Sequence, residues 1–300
     1  MKKIMSIILC LAMAFTMSIA LTGCNEEVLY VYTNAEFAPY EYVSGNDIIG
    51  VDIELANAIG EKLDKKVEIV NLEFDALTPQ LSQLKDNEII IAGMTITDSR
   101  IAVADFSDPY ATSIQYIIYD NTKTEPLDTI EKLEGKKVGV QLSTTGDFIM
   151  SDFSAESGSF DLTVNQYSSA QVASQVLLKG EIDAVVVDKL PAEMIAGNYS
   201  KLTAVAASYI VDNENIFATE SYGVAVKKGN TELKNSINEV IKELQDEGKI
   251  IEWTNKYSSI LENDVPYGLI YGIIGGVVVI AAGVIVFVVI KKKKSKKEEK

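Results

Sequence analysis

The sequence predicts an α/β protein of two lobes, carried between an export signal and a membrane-spanning helix. Three observations lead there. Short β-rich runs alternate with helical patterns between residues 25 and 267, as in lobes of parallel strands that gather ligands at their carboxyl ends. That stretch is long enough for two units of ordinary size. Each terminus reads as an address rather than as part of a core.

The elements follow in order. Residues 28–33 read as a strand, and 52–63 as a helix with Ile53, Ala56, Ile59 and Leu63 on one face. Next come a strand at 67–70, a helix at 76–84 and a continuous apolar strand at 88–92. The second series has strands at 115–119 and 137–140, a helix at 145–154 and a strand at 162–166. A helix at 168–179 follows, in which Ser168 and Gln171 have capping-box spacing. A buried-type strand at 183–187 and a strand at 222–226 lead to the clearest helix. Asn230 caps it, Leu233, Ile237, Val240, Ile241 and Leu244 form its stripe, and Gly248 ends it.

The ends set the topology. Met-Lys-Lys, a mostly apolar run at 4–20 and Leu21-Thr22-Gly23-Cys24 describe an exported chain. The last four residues resemble the bacterial lipobox, which implies a signal peptide at 1–23 and an acylated Cys24; an ordinary signal with an incidental cysteine is the alternative. Acylation would leave no free thiol, which suits an oxidising exterior. Residues 268–290 hold 23 residues without a charge, roughly 35 Å of helix for a hydrocarbon core of about 30 Å. The lysine-rich tail at 291–300 belongs on the cytoplasmic side, so the body between faces outward.

Composition excludes several functions. With no histidine and cysteines only at 10 and 24, the chain has no Ser-His-Asp or Cys-His nucleophile, no His-ligated zinc and no Cys₄ cluster. No cofactor or metal is expected. The net charge is −16; the basic ends carry +2 and +5, leaving −23 on the 267 residues between them. Such a body repels nucleic acid. Among 27 basic residues one is arginine, Arg100, so the chain's single rigid bidentate fork sits at one place.

Three stretches stand out: Asn34-Ala-Glu-Phe37-Ala-Pro-Tyr40, Phe74-Asp-Ala-Leu-Thr-Pro79, and Gly93-Met-Thr95-Ile-Thr97-Asp-Ser-Arg100, the last followed by Asp105-Phe-Ser-Asp-Pro-Tyr110. In order and spacing they resemble the extracellular solute-binding proteins of polar amino-acid ABC transporters, from about Val28 to Tyr257. The resemblance implies a two-lobed type II periplasmic-binding-protein fold closing over one amino acid. Lobe 1 would take residues 28–118 and 222–262, and lobe 2 residues 119–221. The implied partners are a free L-amino acid, an ABC permease and the lipid bilayer.

A free amino acid offers a carboxylate, an ammonium and a side chain, so its pocket needs an anion fork, an anion and shaped walls. Arg100 suits the carboxylate; a structural ion pair with Asp98 or Asp105 is the alternative, and a lone arginine among 26 lysines favours the fork. Thr95 would add a hydroxyl and an amide N–H, and Gly93 a carbonyl toward the ammonium, although both types also serve turns. Thr145, opening a helix after Gln141-Leu-Ser-Thr144, matches the position that binds the carboxylate from the other lobe, and is also a plausible N-cap. Asp188, at the end of an apolar strand, would pair with the ammonium or cap the helix through Pro191. Phe37 and Phe74 match aromatic walls, or serve the core. Asn34 is neutral where the family often has Asp, and Val187 adds no charge; both favour a ligand with an uncharged side chain.

The leading function is therefore capture and delivery of an amino acid, without chemistry. An enzyme on the same scaffold would need a carboxylate acid or base, with Glu36 the obvious candidate. A sensor signalling through the membrane helix would have only a ten-residue tail inside the cell.

Overall fold

The computed structural model describes residues 27–263, apart from 124, 155–160, 212, 213 and 218. The export signal with Cys24, the apolar segment 268–290 and the basic tail lie outside the described residues. Among the described residues no helix is long and apolar enough to cross a membrane.

The chain opens with β1 (Val28–Thr33), whose alternate residues Leu29, Val31 and Thr33 are buried. A small antiparallel meander follows, of β2 (Glu36–Phe37), β3 (Glu41–Ser44) and β4 (Asp47–Ile49). Helix α1 (Val51–Leu63) starts on Gly50, where φ is +137° and a Cβ would stand 2.0 Å from the Tyr40 carbonyl oxygen. Only glycine fits there. Then come β5 (Lys66–Asn71), α2 (Phe74–Gln80), β6 (Glu88–Ile90), the single turn α3 (Asp98–Ile101) and β7 (Ala104–Phe106). The second series comprises β8 (Ala111–Asp120), β9 (Lys137–Gln141), α4 (Thr145–Phe153), β10 (Thr163–Tyr167), α5 (Ala170–Lys179), β11 (Ala184–Asp188), α6 (Lys189–Gly197) and β12 (Leu202–Ala206). The chain returns through β13 (Ser208–Val211), β14 (Glu214–Phe217), β15 (Thr219–Tyr222), β16 (Ala225–Lys227), α7 (Thr231–Asp246) and α8 (Lys249–Asn263).

Besides the meander and the antiparallel pair β13–β14, these elements build two larger sheets. The first has the order β5-β1-β6-β16-β7, with β5, β1 and β6 parallel and β16 antiparallel to both its neighbours. The second runs β10-β9-β11-β8-β12, with β10, β9 and β11 parallel and β8 antiparallel to β11 and β12. The two-lobed α/β fold is thus the observed one. The lobes are joined by a two-stranded ribbon in which Ala111–Ile114 of β8 pair with Thr219–Tyr222 of β15.

Details depart from the sequence reading for identifiable reasons. The helix at 170–179 is capped by Ser169, whose side chain accepts from the Val172 N–H, rather than by Ser168. The single strand expected at 222–226 is two, β15 and β16, parted at Gly223. The expected strand at 115–119 is half of a ten-residue one, because its first residues pair only within the ribbon. Asn230 does cap α7, accepting from the Leu233 N–H, and Leu233, Ile237, Val240 and Ile241 are its buried stripe.

Candidate functional site

The carboxyl ends of the strands in both sheets meet at one cleft. A cavity there is lined by Phe37, Phe74, Ala92, Gly93, Thr95, Arg100, Gln141, Thr144, Thr145, Asp188 and Glu220. Its volume is about 10 Å³, near that of a single water, so the two lobes stand closed. Seven of the eight residues expected to meet a ligand line it. Asn34 does not. Its side chain is committed: Nδ2 donates to the Leu72 carbonyl and Oδ1 accepts from Gln141 Nε2 across the cleft.

Arg100 sits in the turn after β6 that Thr97 caps by accepting from the Arg100 N–H. The residue is 3% exposed; its guanidinium lies 5.6 Å from the Phe74 ring centroid, and donates through Nη1 to the Thr95 carbonyl and through Nη2 to the Ser143 carbonyl on the opposite lobe. The ion pair with Asp98 or Asp105 is absent; Asp105 pairs with Lys228 instead. Burial pushes the Arg100 pKa down to about 10, against the opposing pull of Glu220 and Asp188. The group is charged at neutral pH, and its fork is held by carbonyls that do not neutralise it.

Thr95 is fixed by a bridge to Tyr222 of the ribbon, with the Ile96 N–H donating to the Ser221 carbonyl and the Gly223 N–H to the Met94 carbonyl. Its hydroxyl donates to Glu220 Oε2 at 2.5 Å and accepts from Thr145 Oγ1 at 3.1 Å. Capping of α4 falls to Thr144, which accepts from the Asp147 N–H. That leaves Thr145 as the first helical residue, with its hydroxyl turned into the cleft. Ser143, whose carbonyl meets Arg100, has φ +66°, a conformation that non-glycine residues adopt mainly at constrained turns.

Gly93 has φ +51°, and a Cβ on it would meet the Phe37 ring at 2.5 Å. Its N–H donates to Asp52 Oδ2 at 2.8 Å, and Tyr110 OH donates to the same oxygen. Phe37 packs against Tyr40 and Tyr222, while Phe74 belongs to a core cluster with Leu77 and Leu81. Each ring therefore serves core and cavity together.

Asp188 makes no side-chain cap bond to α6. It accepts from Tyr222 OH at 2.5 Å and is buried at the cavity floor. Burial, and then the neighbouring Glu220, push its carboxyl well above the usual range. Glu220 itself escaped the sequence reading. It stands in the middle of β15, accepts from Thr95 Oγ1 and Gln115 Nε2, and is 4% exposed. No motif marks it; alternation within Thr219-Glu-Ser-Tyr222 around a buried Tyr222 was the only available signal. Gln141 and Thr144 were likewise missed as cavity residues.

Residues 29–260 match the model of the bacterial extracellular solute-binding proteins, family 3. The chain belongs to that family. This solute-binding protein is similar to a putative ABC transporter arginine-binding protein 2 of Escherichia coli (strain K12), with 31% identity over 86% of this chain and 99% of that one. It is similar also to a probable histidine-binding protein of Neisseria gonorrhoeae, at 31% identity over 77% of this chain and 83% of the relative. Among solved structures, an ancestral arginine-binding protein bound to arginine matches with a TM-score of 0.67 and 34% identity, covering 77% of this chain and 97% of that one. The solute-binding protein is thus a transport component and not an enzyme. Relatives named for arginine and histidine do not support the uncharged ligand side chain expected from Asn34 and Val187. Asn34 is engaged at both ends by its own partners, and the cavity carboxylate Glu220 did not enter that expectation.

Proposed function

We propose that this protein captures a free amino acid between its lobes on the outer face of the cell and delivers it to an ABC importer. One observation carries the reading: Arg100 and Thr95 from one lobe, and Thr145 and Asp188 from the other, converge on a single cavity. The ligand carboxylate would take the Arg100 fork and the two threonine hydroxyls, and its ammonium the Asp188 carboxylate and the Gly93 carbonyl. Phe37 and Phe74 would flank the side chain. Both lobes contact such a ligand only when closed, so binding favours closure. The names of the relatives favour a basic amino acid.

The anchoring belongs to the same proposal. Cys24 acylation and a helix at 268–290 would tether the body outside, with the tail at 291–300 in the cytoplasm. Lobe 1 would comprise 28–114 and 222–262 and lobe 2 residues 115–221, the first boundary falling before the expected 118 because residues 115–118 pair with the second sheet; the Ala111–Ile114 and Thr219–Tyr222 ribbon supports a two-segment crossover. A thermal-shift screen of the chain against the twenty amino acids tests the capture. A ligand at 100 times its dissociation constant adds roughly 2.7 kcal/mol. Unchanged melting with all twenty would reject it, and protease added to whole cells should remove the body while sparing the tail.

A further inference from the structure

Arg100 is the only arginine in the chain, and no lysine lines the cavity. Two carboxylates do, Asp188 and Glu220, both buried. A free amino acid brings a carboxylate and an ammonium, which cancel. Once the ligand ammonium holds Asp188 ionised, one guanidinium against two carboxylates leaves a closed, nearly dry cavity one negative charge in excess, and uncompensated charge is strongly disfavoured at such depth.

We propose that Glu220 sets the charge class of the ligand, so that the site takes an amino acid with a cationic side chain and discriminates against its neutral isosteres. The proposal rests on the reading that an amino acid is held by Arg100 and Asp188, and adds the residue that selects among amino acids. Glu220 is well placed for it. It comes from the connecting ribbon rather than a strand-end loop, and its two oxygens are held by Thr95 and Gln115, one from each sheet's side of the cleft. Those bonds fix the carboxylate but neutralise nothing, since both donors are uncharged. Its field reaches Asp188 and Arg100 alike, raising the carboxyl of the one and supporting the charge of the other. A cation beside them relieves the crowding that an uncharged side chain leaves in place.

Calorimetry on the full chain decides it, with L-arginine and L-citrulline as probes of equal shape and different charge. The wild type should bind L-arginine at least about thirtyfold more tightly than L-citrulline. Glu220→Gln, which keeps one acceptor oxygen for its neighbours, should lose most of that ratio by weakening L-arginine alone. Glu220→Asp should retain it. Equal losses for both probes in Glu220→Gln would assign the residue to holding the ribbon and overturn the proposal. A wild-type ratio near one would overturn it without any variant, so a variant that fails to fold leaves the question decidable. Binding of neutral amino acids alone would reject the charge rule while leaving capture intact. Binding of no amino acid would reject both.

Discussion

Within its own lobe Arg100 donates to the Thr95 carbonyl and lies against Phe74, so its orientation is set before any ligand arrives. Lysine there would keep the charge and lose the fork. Arg100→Lys is expected to weaken amino-acid binding about 30-fold to several-thousand-fold, since breaking the paired hydrogen bonds of a buried charge costs about 2–5 kcal/mol. Calorimetry within threefold of wild type would overturn the carboxylate assignment. Asp188→Asn should weaken amino acids strongly yet barely affect an analogue that lacks the ammonium. Comparable losses would mean that Asp188 serves the lobe through Tyr222. Most cavity residues were legible because strand ends followed by turns announce themselves in sequence. Glu220 was not, because a carboxylate within an edge strand reads as a solvated face until a second sheet covers it. Asn34 misled for the converse reason: its amide looked available, and the fold consumes both ends of it.

At the scale of elements, the turn after β6 shows how backbone and side chains constrain one another. Gly93 needs its positive φ, its N–H is anchored on Asp52, and the Phe37 ring occupies the space a Cβ would take. Gly93→Ala should destabilise the protein by about 1–3 kcal/mol through backbone strain alone, and should also weaken ligand binding by displacing Phe37. A melting temperature and affinity unchanged from wild type would remove the turn from the site. Helix boundaries came through to within a residue or two wherever a cap and an apolar stripe agreed, as in α7. Strands of the ribbon did not, because pairing between distant segments rather than local pattern defines them.

For the whole molecule, closure and titration give the measurable behaviour. The cavity admits little more than a water in the closed state, so a ligand must enter an opened form, and direct bonds such as Arg100 to the Ser143 carbonyl compete with it. Small-angle scattering should show compaction on saturation; unchanged curves would reject the clamp. Burial holds the carboxyls of Glu41, Asp52 and Asp188 above their ordinary range. They bind more protons folded than unfolded, so their stabilisation is complete below the unfolded value of about 4 and is lost as pH rises through the raised folded values. Carboxylates lowered by partners, such as Glu88 and Asp105, stabilise alike near pH 5.5 and near pH 8 and lose that contribution only as pH falls below the unfolded value of about 4. The ligand-free protein should therefore melt at a lower temperature near pH 8 than near pH 5.5. The opposite trend would contradict the upward shift of these three carboxyls.

The first sheet is not completed in the order in which the chain is made. Its strand β16, which alone joins β7 to β6, follows the whole of the second sheet's path. The second sheet draws β8 through β12 from one continuous stretch, and early local pairing is the faster kind. Thr95 moreover takes its position from Tyr222. A nascent or clipped chain ending before residue 227 therefore has no half-made receptor to offer. The cavity is complete only once residues on both sides of the second sheet's stretch are in place, so partial products of synthesis or proteolysis are expected to bind no amino acid.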